Sequence, residues 1–141
     1  MADSGAPSTE SIRNLCLIGP TAAGKTTLAE ALLLHSGAIQ AAGSVERGST
    51  VSDHDPLEIK TQHSLQASLM HTEHGGCRMH LIDTPGLPDF IGQGLAALEA
   101  VETAAIVISA ATGIEPMARR MMEYAGQRRL DRLIIVNKID A

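Results

Sequence analysis

Apolar and polar residues along this chain change period from about two to about 3.6 and back, and each change marks an element. Ile12–Ile18 reads as a short strand ending at Gly19-Pro20. Lys25–His35 reads as a helix, with Leu28, Ala31, Leu32 and His35 on one face and Gly37 at its end. Residues 38–63 carry Gly, Ser and charge without periodicity and read as one long loop. Leu65, Ala67 and Leu69 then alternate with Gln66, Ser68 and Met70. Gly75-Gly76 supplies a two-residue hairpin turn, and the return strand runs through Met79 and Ile82 into Asp83. Residues 84–94 read as a loop, 95–102 as a helix and 104–110 as a buried strand. Pro116 suits the start of a helix over 117–127, and 133–136 reads as another buried strand. Strands alternating with helices, the later strands wholly apolar, predict an α/β domain with a mostly parallel sheet and helices on both faces.

Composition narrows the picture. A length of 141 residues suits one domain on the usual scale of roughly 100–200 residues. The net charge of −5 argues against a bulk nucleic-acid-binding surface. One Phe, one Tyr and no Trp mean an aliphatic core and no platform for stacked bases, so direct sequence-specific nucleic-acid binding is not expected. No apolar run approaches the roughly 20 residues of a membrane span, and residues 1–11 lack a signal-peptide core. The expectation is a soluble cytoplasmic domain over 12–141 behind a flexible tail over 1–11, with no membrane partner.

Three segments carry chemistry. Gly19-Pro20-Thr21-Ala22-Ala23-Gly24-Lys25-Thr26 fits G-x-x-x-x-G-K-[ST] between a predicted strand and a predicted helix. Such a loop curls so that backbone N–H groups converge on phosphate oxygens, helped by the helix N-terminus. Lys25 would reach the β- and γ-phosphates, and Thr26 would give its hydroxyl oxygen to Mg²⁺. Asp83-Thr84-Pro85-Gly86 follows a strand; the carboxylate would hold Mg²⁺ directly or through water, and the Gly86 N–H would meet the γ-phosphate. Asn137-Lys138-Ile139-Asp140 fits N-K-x-D, in which an Asp accepts from guanine N1–H and N2–H₂ while the Lys stem packs on the base and the Asn braces the loop. Adenine lacks those donors, so this tetrad favours GTP and GDP over ATP.

Together, Gly19–Thr27, Asp83–Phe90 and Asn137–Asp140 resemble the GTP-binding domain of translational GTPases, the elongation factor G group in particular. Asp83-Thr84-Pro85-Gly86-x2-Asp89-Phe90 is similar to that family's D-T-P-G-H-V-D-F, and Ala111-x-Gly113-Ile114-Glu115-Pro116 to the segment after its next strand. The resemblance covers about residues 12–141 and implies a P-loop GTP-binding domain that uses Mg²⁺ and acts on the ribosome. Residues 19–27, Asp83, Gly86, Asn137, Lys138 and Asp140 would bind the nucleotide. Thr26, Ser64 and Asp83 would hold the metal, with Lys25 and Gly86 serving catalysis. The family's domain continues with a further strand and helix, so this domain is expected to be incomplete at its C-terminus.

The departures place it among elongation factor G-like paralogues. Thr61-Gln62-His63-Ser64 stands where the family has R-G-I-T, and Ala22 where it often has Asp. Leu87 stands where the family's His orients the attacking water, and leucine has no polar atom for that task. Weak intrinsic GTP hydrolysis is expected, with a GTP-loaded regulatory module of little or no turnover as the alternative. A non-translational P-loop enzyme is a third reading, which a preference for ATP would favour.

Two clusters invite other functions. His71, His74, Cys77 and His80 recur every third residue, but the hairpin register pairs His74 with Cys77 and His71 with His80, and His71 and His74 fall on opposite faces. The same register pairs Glu73 with Arg78. Arg119, Arg120, Arg128, Arg129 and Arg132 make a local basic cluster, either a solvated face or an RNA-facing patch. Cys16, Met117, Met121 and Met122 sit at core spacings.

Overall fold

Aliphatic side chains on two opposite faces of the same strands demand cover on both sides, and the chain supplies it. A computed structural model describes residues 7–52 and 55–140. The strands are β1 (Ile12–Ile18), β2 (Ser68–His74), β3 (Cys77–Asp83), β4 (Thr103–Ser109) and β5 (Asp131–Asn137). The helices are α1 (Lys25–His35), α2 (Pro56–Thr61), α3 (Ile91–Leu98) and α4 (Pro116–Gln127). The sheet order is β2-β3-β1-β4-β5, parallel except for the β2–β3 hairpin. Cys16, Ile18, Ala104 and Ile106 face Leu98 of α3 and Met121 and Ala125 of α4. Leu17, Ala105 and Val107 face Ala29 and Leu33 of α1 on the other side. Burial pushes the Cys16 thiol up to about 12, with Asp83 adding to the rise, so Cys16 packs as a neutral side chain. No helix among the described residues is long and apolar enough to cross a membrane.

The hairpin forms in the expected register. Gly75 and Gly76 take φ of 57° and 78°, the left-handed pair a tight turn between twisted strands requires. His71 pairs with His80, His74 with Cys77, and Glu73 with Arg78, whose guanidinium donates to the Glu73 carboxylate at 2.9 Å. The sheet's inward side carries Met70 and Thr72, however, while Leu69 is 68% exposed, so the run from Leu65 is not the buried stripe.

Other expectations are corrected. Helix α1 has the predicted bounds and closes through Gly37 at φ 78°, with the Ala38 N–H donating to the Leu33 carbonyl. Its buried face is Lys25, Ala29, Glu30 and Leu33, and Ala31, Leu32 and His35 are exposed. The phosphate loop turns Lys25 inward at the first position, and that sets the phase of every later turn. Residues 38–63 contain helix α2, capped by Asp55: its carboxylate accepts from the Leu57 N–H at 2.7 Å while Glu58 accepts from the Asp55 N–H at 3.2 Å. Helix α3 starts at Ile91, straight after a 3₁₀ turn at Pro88–Phe90, and ends at Leu98 rather than covering 95–102. Strand β5 lies at the sheet edge, so Leu133, Ile134 and Val136 are 48%, 56% and 54% exposed rather than buried. Of the expected tail, residues 1–6 lie outside the described residues, and Thr9–Ser11 form a single 3₁₀ turn.

Residues 43–51 are held against α1 by one buried carboxylate. Glu30 accepts from the Gly43 N–H at 2.6 Å and from the Val51 N–H. Replacing Glu30 with alanine removes the acceptor for both amides and is expected to cost about 2 kcal/mol in urea unfolding. Hydrogen exchange should quicken at Gly43 and Val51 and not at the β1 or β4 amides. Unchanged exchange at both positions would contradict this anchoring role.

Candidate functional site

All three chemical segments emerge at the C-terminal ends of β1, β3 and β5, where open parallel sheets bind ligands. The first turn is forced by contact: a Cβ on Gly19, whose φ is 144°, would lie 2.3 Å from the Val107 carbonyl oxygen of β4. The loop then curls through Ala22 at φ 61° and Gly24 at φ 90° into α1. Lys25 lies beneath it, its Nζ donating to the Gly19 and Pro20 carbonyls at 2.9 and 2.8 Å. Those bonds use two of the three ammonium donors and leave one for a ligand. Burial lowers the Lys25 pKa to about 8, opposed by the nearby Asp83 charge, so the group is a cation at neutral pH.

Asn137 reaches this loop from the far edge of the sheet. Its Nδ2 donates to the Ala23 carbonyl at 3.0 Å, and a Cβ on Gly24 would meet that nitrogen at 2.3 Å. Glycine at position 24 is therefore what admits the brace. Lys138, at φ 55°, lines the same cavity, which measures about 430 Å³. Asp140 is exposed two residues further on.

The predicted metal-holding residues also meet. Thr26 Oγ1 donates to Asp83 Oδ2 at 2.6 Å and lies 3.4 Å from Ser64 Oγ. One carboxylate and two hydroxyls are hard oxygen donors, which fit Mg²⁺, an ion that keeps several of its waters. Among the described residues no three His, Cys, Asp or Glu side chains converge to hold a metal. Asp83 is fixed by the β1–β3 pairing, and the next residue, Thr84, donates its hydroxyl to the Leu17 carbonyl at 2.7 Å.

Gly86 passes tightly over the phosphate loop. A Cβ there would lie 2.5 Å from the Thr21 backbone nitrogen and 2.6 Å from Lys25 Nζ. Leu87 lines the cavity beside it, as does His63. Thr21, Ala22, Thr27 and Ser64 line it too, whereas Gly19, Pro20 and Ala23 contribute through their carbonyls.

One positioning residue escaped the sequence reading. The buried Glu58 accepts from the Leu65 and Gln66 N–H groups at 2.8 and 3.1 Å and so fixes the chain just after Ser64. The D-P-x-E pattern of Asp55 to Glu58 was its signal. Val45 and Glu46 also reach the cavity, from a stretch with no periodicity to mark them. Within the arginine cluster, Arg128 pairs with Glu99, and Arg120 stacks on Tyr124 at 5.6 Å.

Comparison with known proteins gives the same picture. Residues 10–141 match the family model of the elongation factor Tu GTP binding domain. An elongation factor G-like protein of Mycobacterium tuberculosis is 36% identical over 129 residues, which are 92% of this chain and 18% of that protein. A peptide chain release factor 3 of Bordetella pertussis is 40% identical over 132 residues, 91% of this chain and 25% of that protein. A crystal structure of a Thermus thermophilus protein superposes with a TM-score of 0.89 at 35% identity, over 92% of this chain and 20% of that one. This chain thus spans a quarter or less of each of these three proteins. With its phosphate loop joined to the strand-end Asp83 through Thr26 and to the edge-strand N-K-x-D through Asn137, the chain belongs to the elongation factor Tu GTP-binding domain family.

Proposed function

We propose that this domain binds GTP and GDP with Mg²⁺ and hydrolyses GTP as the nucleotide-binding part of a translation factor, elongation factor G-like, that acts on the ribosome in the cytoplasm. The observation that carries the reading is the Asn137 side chain seated on the Ala23 carbonyl. It locks the guanine-type tetrad to the phosphate loop, so base and phosphates are read by one rigid unit.

The residues divide the work. The free donor of Lys25 and the Gly86 N–H meet the γ-phosphate, where charge gathers as water attacks phosphorus and the bond to the β-phosphate oxygen breaks. Thr26, Ser64 and Asp83, which meet within hydrogen-bonding reach, would hold Mg²⁺. When bound there, Mg²⁺ would supply neutralisation of the phosphate charge. Asp140 accepts from guanine N1–H and N2–H₂, and the Lys138 stem lies against the base. Because Glu58 and Glu30 restrain the chain around Ser64, the γ-phosphate would couple through Ser64 to the order of this loop and through it to a partner.

A second reading is favoured by Leu87, which places an apolar side chain in the cavity beside Gly86. The domain would then act by GTP occupancy with little turnover. Single-turnover hydrolysis with and without ribosomes separates the two. The enzyme reading expects ribosomes to speed cleavage by at least about a hundredfold, on the order of 3 kcal/mol in the barrier. Cleavage that stays slow with ribosomes would leave the occupancy reading standing.

Asp140→Asn tests the base contact. Its amide cannot accept both guanine protons but can donate to the extra carbonyl of xanthine. GDP affinity should fall about a hundredfold or more while xanthosine diphosphate gains, as a buried polar mismatch requires. Equal GDP affinity in the variant would remove Asp140 from the guanine site.

A further inference from the structure

The phosphate-loop pattern leaves its third position free, and here it holds Thr21. The Thr21 hydroxyl oxygen is buried and has no hydrogen-bond partner among the described residues. A buried hydroxyl left unpaired is costly, and native proteins seldom keep one without a partner to satisfy it, whether protein, ordered water or ligand. Its position says which ligand atom that is. Thr21 lines the cavity with Gly86, Leu87 and Lys25. The Thr21 backbone nitrogen and Lys25 Nζ both crowd the point where a Gly86 Cβ would stand, at 2.5 and 2.6 Å. Lys25 and Gly86 are the groups assigned to the γ-phosphate, while Asn137 meets the loop two residues further on, at Ala23. Leu87 adds no polar atom to this wall, so a hydroxyl here supplies a donor that its neighbour cannot.

We infer that the Thr21 hydroxyl donates to a γ-phosphate oxygen and so distinguishes a nucleoside triphosphate from the diphosphate. The inference rests on the proposed nucleotide reading of the site. A diphosphate has no oxygen at that end and leaves the hydroxyl unpaired. A triphosphate satisfies it with a charge-assisted bond.

The test compares wild type with Thr21→Val, which removes the hydroxyl at nearly constant shape, Thr21→Ala, which removes it with loss of volume, and Thr21→Ser, which keeps it. Affinities for GDP and for the non-hydrolysable analogue GppNHp are measured on the 141-residue chain by competition against fluorescent GDP in Mg²⁺. The ratio of analogue to GDP affinity should fall about tenfold or more in the Val and Ala variants and stay near wild type in the Ser variant, as loss of one hydrogen bond to a charged group predicts. If Val or Ala abolishes GDP binding, the ratio is read from the other variant. An unchanged ratio in the variants that lack the hydroxyl overturns the role of Thr21 while leaving the nucleotide site intact. Failure of the wild-type chain to bind either guanine nucleotide overturns the site reading, and this inference with it.

Discussion

Burying an ammonium under a curled backbone loop is the constraint from which most of this structure follows. Lys25 is inward at the first position of α1, where it satisfies two carbonyls of the loop that precedes it. That orientation sets the helix phase, which puts Ala29 and Leu33 against β1 and β4 and leaves Leu32 and Leu34 outside. It also calls for a compensating charge. Asp83 provides one from the end of the neighbouring parallel strand, where its carboxylate takes the Thr26 hydroxyl. A buried cation with an unused donor, beside a carboxylate and two hydroxyls, suits a polyphosphate carrying a hard metal ion.

Around this centre the chain holds its irregular segments by side chains accepting from backbone amides. Glu30 and Glu58 are both buried carboxylates, and between them they restrain residues 43–51, Asp55 and residues 65–66. Neither belongs to a phosphate or base motif. They carry no chemistry of their own, yet they pin the chain near Ser64, which meets Thr26.

The legible part of the molecule is the part where one local rule dominates. Glycine pair 75–76 dictated the hairpin register down to the Glu73–Arg78 pair, because few sequences can take two successive positive φ values. The three motifs sit at the C-terminal ends of β1, β3 and β5, and Ser64 and Asp83 both come within hydrogen-bonding reach of Thr26. What local reading missed was set by tertiary context. The face of α1 follows from Lys25 rather than from its richest leucine stripe. Strand β5 looked like a buried strand because its residues are apolar, but burial depends on what lies beside it, and β4 covers one edge only. Glu30 gave no signal at all, since a lone Glu in a helix reads as surface until its partners, thirteen and twenty-one residues away, are seen.

The central claim is that one rigid unit reads both the phosphates and a guanine base. It is tested most directly by displacing fluorescent GDP from the 141-residue chain with unlabelled GTP and with ATP. Displacement by GTP is predicted at concentrations roughly a hundredfold or more below any effect of ATP, since adenine offers no donors to Asp140. Equal displacement by the two nucleotides would contradict it, leaving a phosphate site without a base reader.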